Sequence, residues 1–199
     1  MRKTTLGLAI ASLALLPFAS QAEEISYSFV QAAYVSTDID EFDETADGFV
    51  LGGSLEVAEN FFIYADYADQ SADVAGVDID VSGFSIGGGY AYPLSDSMDL
   101  VGSIGYVSTE TDVSFEGESG SGDDDGYELA IGLRAMPMEQ LELHGSVSYV
   151  DLSDAGDDTG FGIGALWYFL PQFAVGVDAG FTDDANSYGI GARWDFGRK

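Results

Sequence analysis

Glu142, His144, Ser146 and Ser148 occupy alternate positions, so in an extended chain all four side chains project from one face. Serine and histidine side by side are the raw material of nucleophilic catalysis. The same spacing sets Arg193 two residues before Asp195, and a turn at Pro137 sets Arg134 across from Glu142. Glu56 stands just ahead of another turn, Ala58-Glu59-Asn60, and joins this group. Two guanidiniums among several carboxylates, in a confined space, form charge-assisted hydrogen bonds. Elsewhere Gly122-Asp123-Asp124-Asp125-Gly126 gathers carboxylates on a flexible backbone, and hard oxygen donors of that kind suit Ca²⁺ or Mg²⁺. The segment lacks the spacing and the closing glutamate of an EF-hand, so only diffuse divalent binding is expected there. With no cysteine in the chain, thiolate nucleophiles, thiolate metal sites and disulfides are excluded.

What positions these residues is a period of two. Phe161, Ile163, Ala165, Trp167 and Phe169 alternate with Gly162, Gly164, Leu166 and Tyr168. Phe173, Val175, Val177, Ala179 and Phe181 alternate with Ala174, Gly176, Asp178 and Gly180. Tyr188, Ile190, Ala192, Trp194 and Phe196 repeat the pattern against Gly189, Gly191, Arg193 and Asp195. Alternation of this kind makes β-strands. A water-facing strand surface would carry Lys, Glu, Arg and Thr. The second face here carries glycine and alanine, which suits a cramped interior. The bulky face is then the outside, and an outside that is apolar all round belongs in lipid.

The start of the chain agrees. Arg2 and Lys3 precede an apolar run, Leu6 to Phe18, and Ser20-Gln21-Ala22 provides small residues before a cut. Residues 1–22 therefore read as a cleaved signal peptide and 23–199 as one domain. Beyond residue 22 no apolar run reaches the ~18 residues of a membrane-spanning helix. A formal net charge of −29 excludes nucleic acid as a partner, since binding it needs a basic surface.

The pattern predicts strands at about 25–36, 47–57, 61–70, 79–92, 99–109, 127–136, 141–150, 159–169, 172–181 and 187–197. The result is an all-β fold, a transmembrane antiparallel up-and-down barrel of about ten strands, or eight if one hairpin fails. Short turns alternate with five acidic connections near 37–46, 71–78, 110–126, 151–158 and 182–186, expected as extracellular loops. In the first strand Tyr27, Phe29, Ala33 and Val35 are assigned to lipid, with Gln31 in the same register. In the fourth, the apolar set changes parity between Val81 and Phe84, which predicts a β-bulge or a late start. Aromatic residues gather at the strand ends, as two interfacial girdles require.

The signal, the hairpin rhythm and the closing strand Tyr188–Phe196 resemble the small Gram-negative outer-membrane barrels, including the opacity-type porin-like ones. Tyr34-Val35-Ser36-Thr37-Asp38, Glu59-Asn60-Phe61 and Gly87-Gly88-Gly89-Tyr90 are similar to the short-barrel group called the Ax-twenty-one type. The resemblance implies the outer membrane as location, insertion by the barrel-assembly machinery, and no catalytic residues. Family members usually end on an aromatic residue, whereas this chain continues through Gly197-Arg198-Lys199.

The lumen set Glu56, Arg134, Glu142, His144, Arg193 and Asp195 reads either as a gate that meters ions or as a polar plug that fills the interior. A hydrolase is disfavoured, because His144 points inward near the periplasmic end and no second histidine stands at the outer rim. The expectation is a monomeric, non-enzymatic envelope protein with no cofactor beyond Ca²⁺ or Mg²⁺ at its loops. Those ions would bridge the acidic loops to lipopolysaccharide phosphates. The alternative is a narrow porin-like diffusion channel preferring cations.

Overall fold

The computed structural model describes residues 26–39, 44–74, 76–115 and 118–197. The expected signal peptide lies outside them, as do Asp40, Glu41, Asp43 and Glu116 of the acidic connections. Ten strands form: β1 (Phe29–Ile39), β2 (Glu44–Ala58), β3 (Phe61–Val74), β4 (Val77–Ser95), β5 (Met98–Phe115), β6 (Glu118–Met138), β7 (Leu141–Leu152), β8 (Gly156–Leu170), β9 (Phe173–Phe181) and β10 (Ala185–Asp195). Each pairs antiparallel with its chain neighbours, and β1 pairs with β10 to close the barrel. Closure leaves no unpaired edge within the bilayer, the condition for a sheet to span it.

Large apolar side chains cover the outer surface: Phe61, Ile63, Ile86, Ile104, Ile131, Trp167, Val177 and Ile190 are all exposed. The lumen is lined by small or polar residues and a few packed rings. Tyr27 stacks on Phe62 with centroids 4.9 Å apart, against Tyr64, Ala91, Val101 and Ala130. Cross-strand aromatic contacts mark the two rims, Phe173 with Trp194 on one and Phe84 with Tyr106 on the other.

The orientation of β1 differs from the sequence reading. Tyr27, Phe29, Ala33 and Val35 are buried in the lumen, and Val30 and Tyr34 are exposed to lipid. Gln31 was the informative residue, because it shares the inward face with Phe29 and accepts hydrogen bonds from Arg193 there. The apolar residues around it fill the barrel rather than coat it.

Strand β4 contains neither a bulge nor a late start in this region. Its ladder to β5 runs unbroken from Asp78↔Ser114 to Pro93↔Asp99. The parity change marks the membrane boundary. Below it, Phe84 and Ile86 face lipid; above it, Ile79 and Val81 turn inward and are buried over the mouth, leaving Asp78 and Asp80 outside.

Four of the five expected loops are more than half strand, and two show it best. The β3–β4 ladder continues to Val74↔Val77, and the β5–β6 ladder to Phe115↔Glu118. Asp, Ser and Gly are poor strand formers, which hid these hairpins in the sequence. Register with neighbours already paired in the barrel carries them outward. The β3–β4 connection is tight: Gly76 adopts φ 85°, and its N–H donates to Asp73 Oδ1.

Candidate functional site

The lower lumen is crossed by one buried polar cluster. One short turn between Arg134 and Glu142 places these residues on adjacent strands β6 and β7, both facing inward. Arg134 Nε donates to Glu142 Oε1 at 2.5 Å, with neither side chain exposed. Tyr168 of β8 extends the cluster, its hydroxyl lying 2.9 Å from Asp195 Oδ2 and 3.2 Å from Glu142 Oε2. Arg193 of β10 approaches Glu142 Oε1, the oxygen that accepts from Arg134, at 3.6 Å. Its Nε and second terminal nitrogen donate to Gln31 Oε1, and its guanidinium sits over the Phe29 ring. Five strands thus meet at two carboxylates and two guanidiniums.

His144 occupies the row above. Arg134, His144, Gly164 and Asp178 lie in register across β6 to β9. His144 Nε2 and Asp178 Oδ1 are 2.7 Å apart, spanning Gly164 between them. A Cβ at Gly164 would overlap both groups, so glycine is what makes the pair reachable. The ring is committed to a carboxylate inside the barrel, away from the outer rim.

The structure brings Arg134, Glu142, Arg193 and Asp195 together, with His144 beside them. Glu56 departs from this set. It is exposed at the periplasmic rim, where β2 runs past the floor of the barrel, and its backbone N–H donates to Ser28 Oγ. Sequence reasoning missed Tyr168, Gln31, Tyr27 and Asp99. Tyr27 donates to Asp99 Oδ2 at 3.2 Å, and Asp99 lies directly across the ladder from Arg134. Tyr168 and Gln31 carried a signal: Tyr168 shares its face with Gly162 and Gly164, and Gln31 is the polar residue among Phe29, Ala33 and Val35.

Asp123, Asp124 and Asp125 do not converge on one ion. They belong to β6, where successive side chains point to opposite faces. The Asp124 carboxylate instead accepts from the backbone N–H groups of Asp154 and Ala155. Among the described residues, no three His, Cys, Asp or Glu side chains gather as a metal cage.

The acids assemble differently. Alternation places Asp69, Asp73, Asp78, Asp80, Glu110, Asp112, Asp123 and Asp125 on the outward face of the β3–β6 extension. They stand directly above the lipid-facing rings of Tyr67, Phe84, Tyr106 and Tyr127 on the same strands. Asp73 faces Asp78, Asp80 faces Asp112, and Glu110 faces Asp123 across the ladders. Like charges directly opposed are unfavourable, and no lysine or arginine occupies these strand segments to relieve them.

A closed ten-strand barrel, greasy outside and polar inside, matches known proteins. Residues 5–169 match the model of the outer membrane protein beta-barrel domain. The chain belongs to this family. It is an integral protein of the Gram-negative outer membrane. No curated protein matches it. Among solved structures, the translocator domain of the autotransporter NalP from Neisseria meningitidis is similar at 11% identity and a TM-score of 0.50, covering 84% of this chain and 87% of that one. Ail, the attachment invasion locus protein of Yersinia pestis, is similar at 16% identity and a TM-score of 0.47, over 83% and 94% of the two chains. The KdgM porin shares 12% identity at 0.46, over 83% and 99%. Of the three, the NalP similarity bears on the fold alone.

Proposed function

We propose that the protein is a monomeric, non-enzymatic barrel, inserted by the barrel-assembly machinery, that holds an acidic sheet surface against the outer leaflet. The observation that carries this reading is the outward face of the β3–β6 extension. It changes from aromatic to carboxylate within about one turn of the pleat, at the depth where lipid headgroups begin. Divalent cations neutralise the opposed acids and bridge them to lipopolysaccharide phosphates, since both partners are anionic. The buried Arg134–Glu142–Arg193 cluster fills the lower lumen and suits an anchor better than a pore. Catalysis has no support at His144, which is held by Asp178 inside the barrel.

Reconstitution tests it. In vesicles containing lipopolysaccharide, millimolar Ca²⁺ should raise the melting temperature and slow proteolysis of the β5–β6 hairpin. Unchanged values would end the bridging reading. The alternative, a narrow cation-preferring channel, takes its support from Asp66 and Asp178 within the lumen. A stable, cation-selective open level in planar bilayers would favour it.

A further inference from the structure

Strand β6 starts far above the neighbour that follows it. It pairs with β5 from Phe115↔Glu118 without a break, but β7 joins it only at Gly126↔Leu152. The turn after β7 closes the corner: Ser153 N–H donates to the Asp125 carbonyl at 3.0 Å, and Asp125 N–H donates to Asp124 Oδ1. Asp125 therefore points its backbone groups away from β5. Such groups alternate along an antiparallel ladder, so Asp123, Ser121 and Ser119 point theirs the same way. Among the described residues nothing pairs with these three on that side, and Glu118 to Asp123 are all exposed. Glu118 lies nine residues beyond the interfacial Tyr127, which is about 30 Å along a strand at ~3.4 Å per residue.

Sheet edges are usually blunted by lysine, proline or a bulge, because unpaired donors and acceptors template another strand. The segment Glu118-Ser119-Gly120-Ser121-Gly122-Asp123 has none of the three. Its two faces are unlike. Outward stand Asp123 and, past the short Ser121, its ladder partner Asp112. Inward, Gly120 and Gly122 have nothing within 4 Å of where a Cβ would stand. Their ladder partners there are Val113 and Thr111, and Phe115 beyond Val113 is exposed on the same face.

We propose that this edge accepts an extended segment of a partner protein as an added antiparallel strand, one that alternates basic and apolar residues. Main-chain bonds to Ser119, Ser121 and Asp123 hold it. Residues directly opposite one another share a face, so its basic side chains lie outward beside Asp123 and Asp112. Those same residues turn their N–H and C=O groups to β6. Its apolar side chains lie inward over the two glycines, toward Val113 and Phe115. A second copy in the same membrane fits poorly. Upright barrels related about the membrane normal offer β6 edges that run the same way, and acid would meet acid. The inference goes beyond the headgroup reading and does not depend on it.

The test uses the full barrel in a neutral detergent with chelator and about 0.15 M KCl, which screens distant charges. The probe is a fluorescent peptide of alternating Lys and Val, read by polarisation against protein-free micelles. Saturable binding of one peptide per barrel is expected. Ser121→Pro should weaken it roughly tenfold or more, because proline removes a donor at the free edge and leaves the bonds to β5 intact. Shifted mobility on unboiled gels confirms that this variant is folded. On the wild type, methylating the backbone nitrogens of the lysines should abolish binding, whereas methylating those of the valines should leave it within about twofold, since only the lysine N–H groups face β6. Absence of saturable binding would overturn the proposal. Equal binding of the two methylated peptides, or full binding by Ser121→Pro, would also overturn it and mark adsorption to acidic charge only. So would a wild-type dimer that Ser121→Pro converts to monomer in sedimentation, which would give the edge to a second copy.

Discussion

Arg134 and Glu142 meet across a single hairpin, side chain to side chain, with neither exposed. The pair is the centre of the lumen cluster, since Tyr168 and Arg193 reach the same carboxylate. Removing Arg134 would leave Glu142 buried with the looser Arg193 contact as its one guanidinium. Arg134→Ala should therefore destabilise the barrel by about 3–5 kcal/mol, the usual cost of stranding a buried charge. Urea unfolding in micelles measures it. Replacing both partners by apolar residues, Arg134→Met with Glu142→Leu, should cost much less. The same variants separate plug from gate: a filled barrel shows no stable open level in Arg134→Ala, whereas a gate would open.

Gly164 gives a second handle on the lumen. The His144–Asp178 bond passes over its Cα, and a methyl group there would meet both partners. Gly164→Ala should cost about 1–3 kcal/mol, as overpacking of a close-fitting interior does. The substitution also restricts the unfolded chain, which offsets about 0.4–1 kcal/mol in any Gly→Ala pair, so the overlap should appear as a net loss in melting temperature and a faster unfolding rate. Gly162→Ala is the control. Its Cβ would meet only Ser146 Oγ, at 3.1 Å, and should cost less.

The barrel was legible because ten strands repeat one period, and the arginine hairpin because both charges flank a proline turn. What escaped depended on the location of the solvent boundary. In β1 the apolar residues fill the lumen and Gln31 is half-buried among them, so hydrophobicity alone pointed to the wrong face. In β4 the same rule reversed at the membrane surface, where Ile79 and Val81 cover the mouth. The paired extension of β5 and β6 escaped for a further reason: Asp, Ser and Gly strands are held by register with neighbours, which no local preference reveals.

Asp80 and Asp112 oppose one another across β4 and β5, both exposed. Opposed like charges weaken a ladder by about 0.2–1 kcal/mol. Asp112→Asn should therefore stabilise the protein by that amount in chelator at low salt. The gain should shrink when millimolar Ca²⁺ or high salt is present, because either already screens the repulsion. Thermal melts in the two conditions check it. A gain that is identical in both would mean that the pair exerts no electrostatic strain.

Ala32 tests the orientation of β1. It is exposed and sits between Val30 and Tyr34 on the lipid face, opposite the lumen residues Gln31 and Ala33. A charge on that face must enter hydrocarbon or snorkel to the interface, at a cost of about 2–4 kcal/mol near the midplane. Ala32→Arg should lose that much in unfolding titrations in lipid vesicles. Arginine carries a long stem, so a lumen-facing position would fail differently, through overlap with packed neighbours. Ala32→Cys distinguishes the two: its bimane label should be quenched by brominated lipid, whereas a label at Ala33→Cys should not. Quenching at residue 33 and silence at residue 32 would return Phe29 and Val35 to the lipid and remove the basis for the Gln31–Arg193 contact.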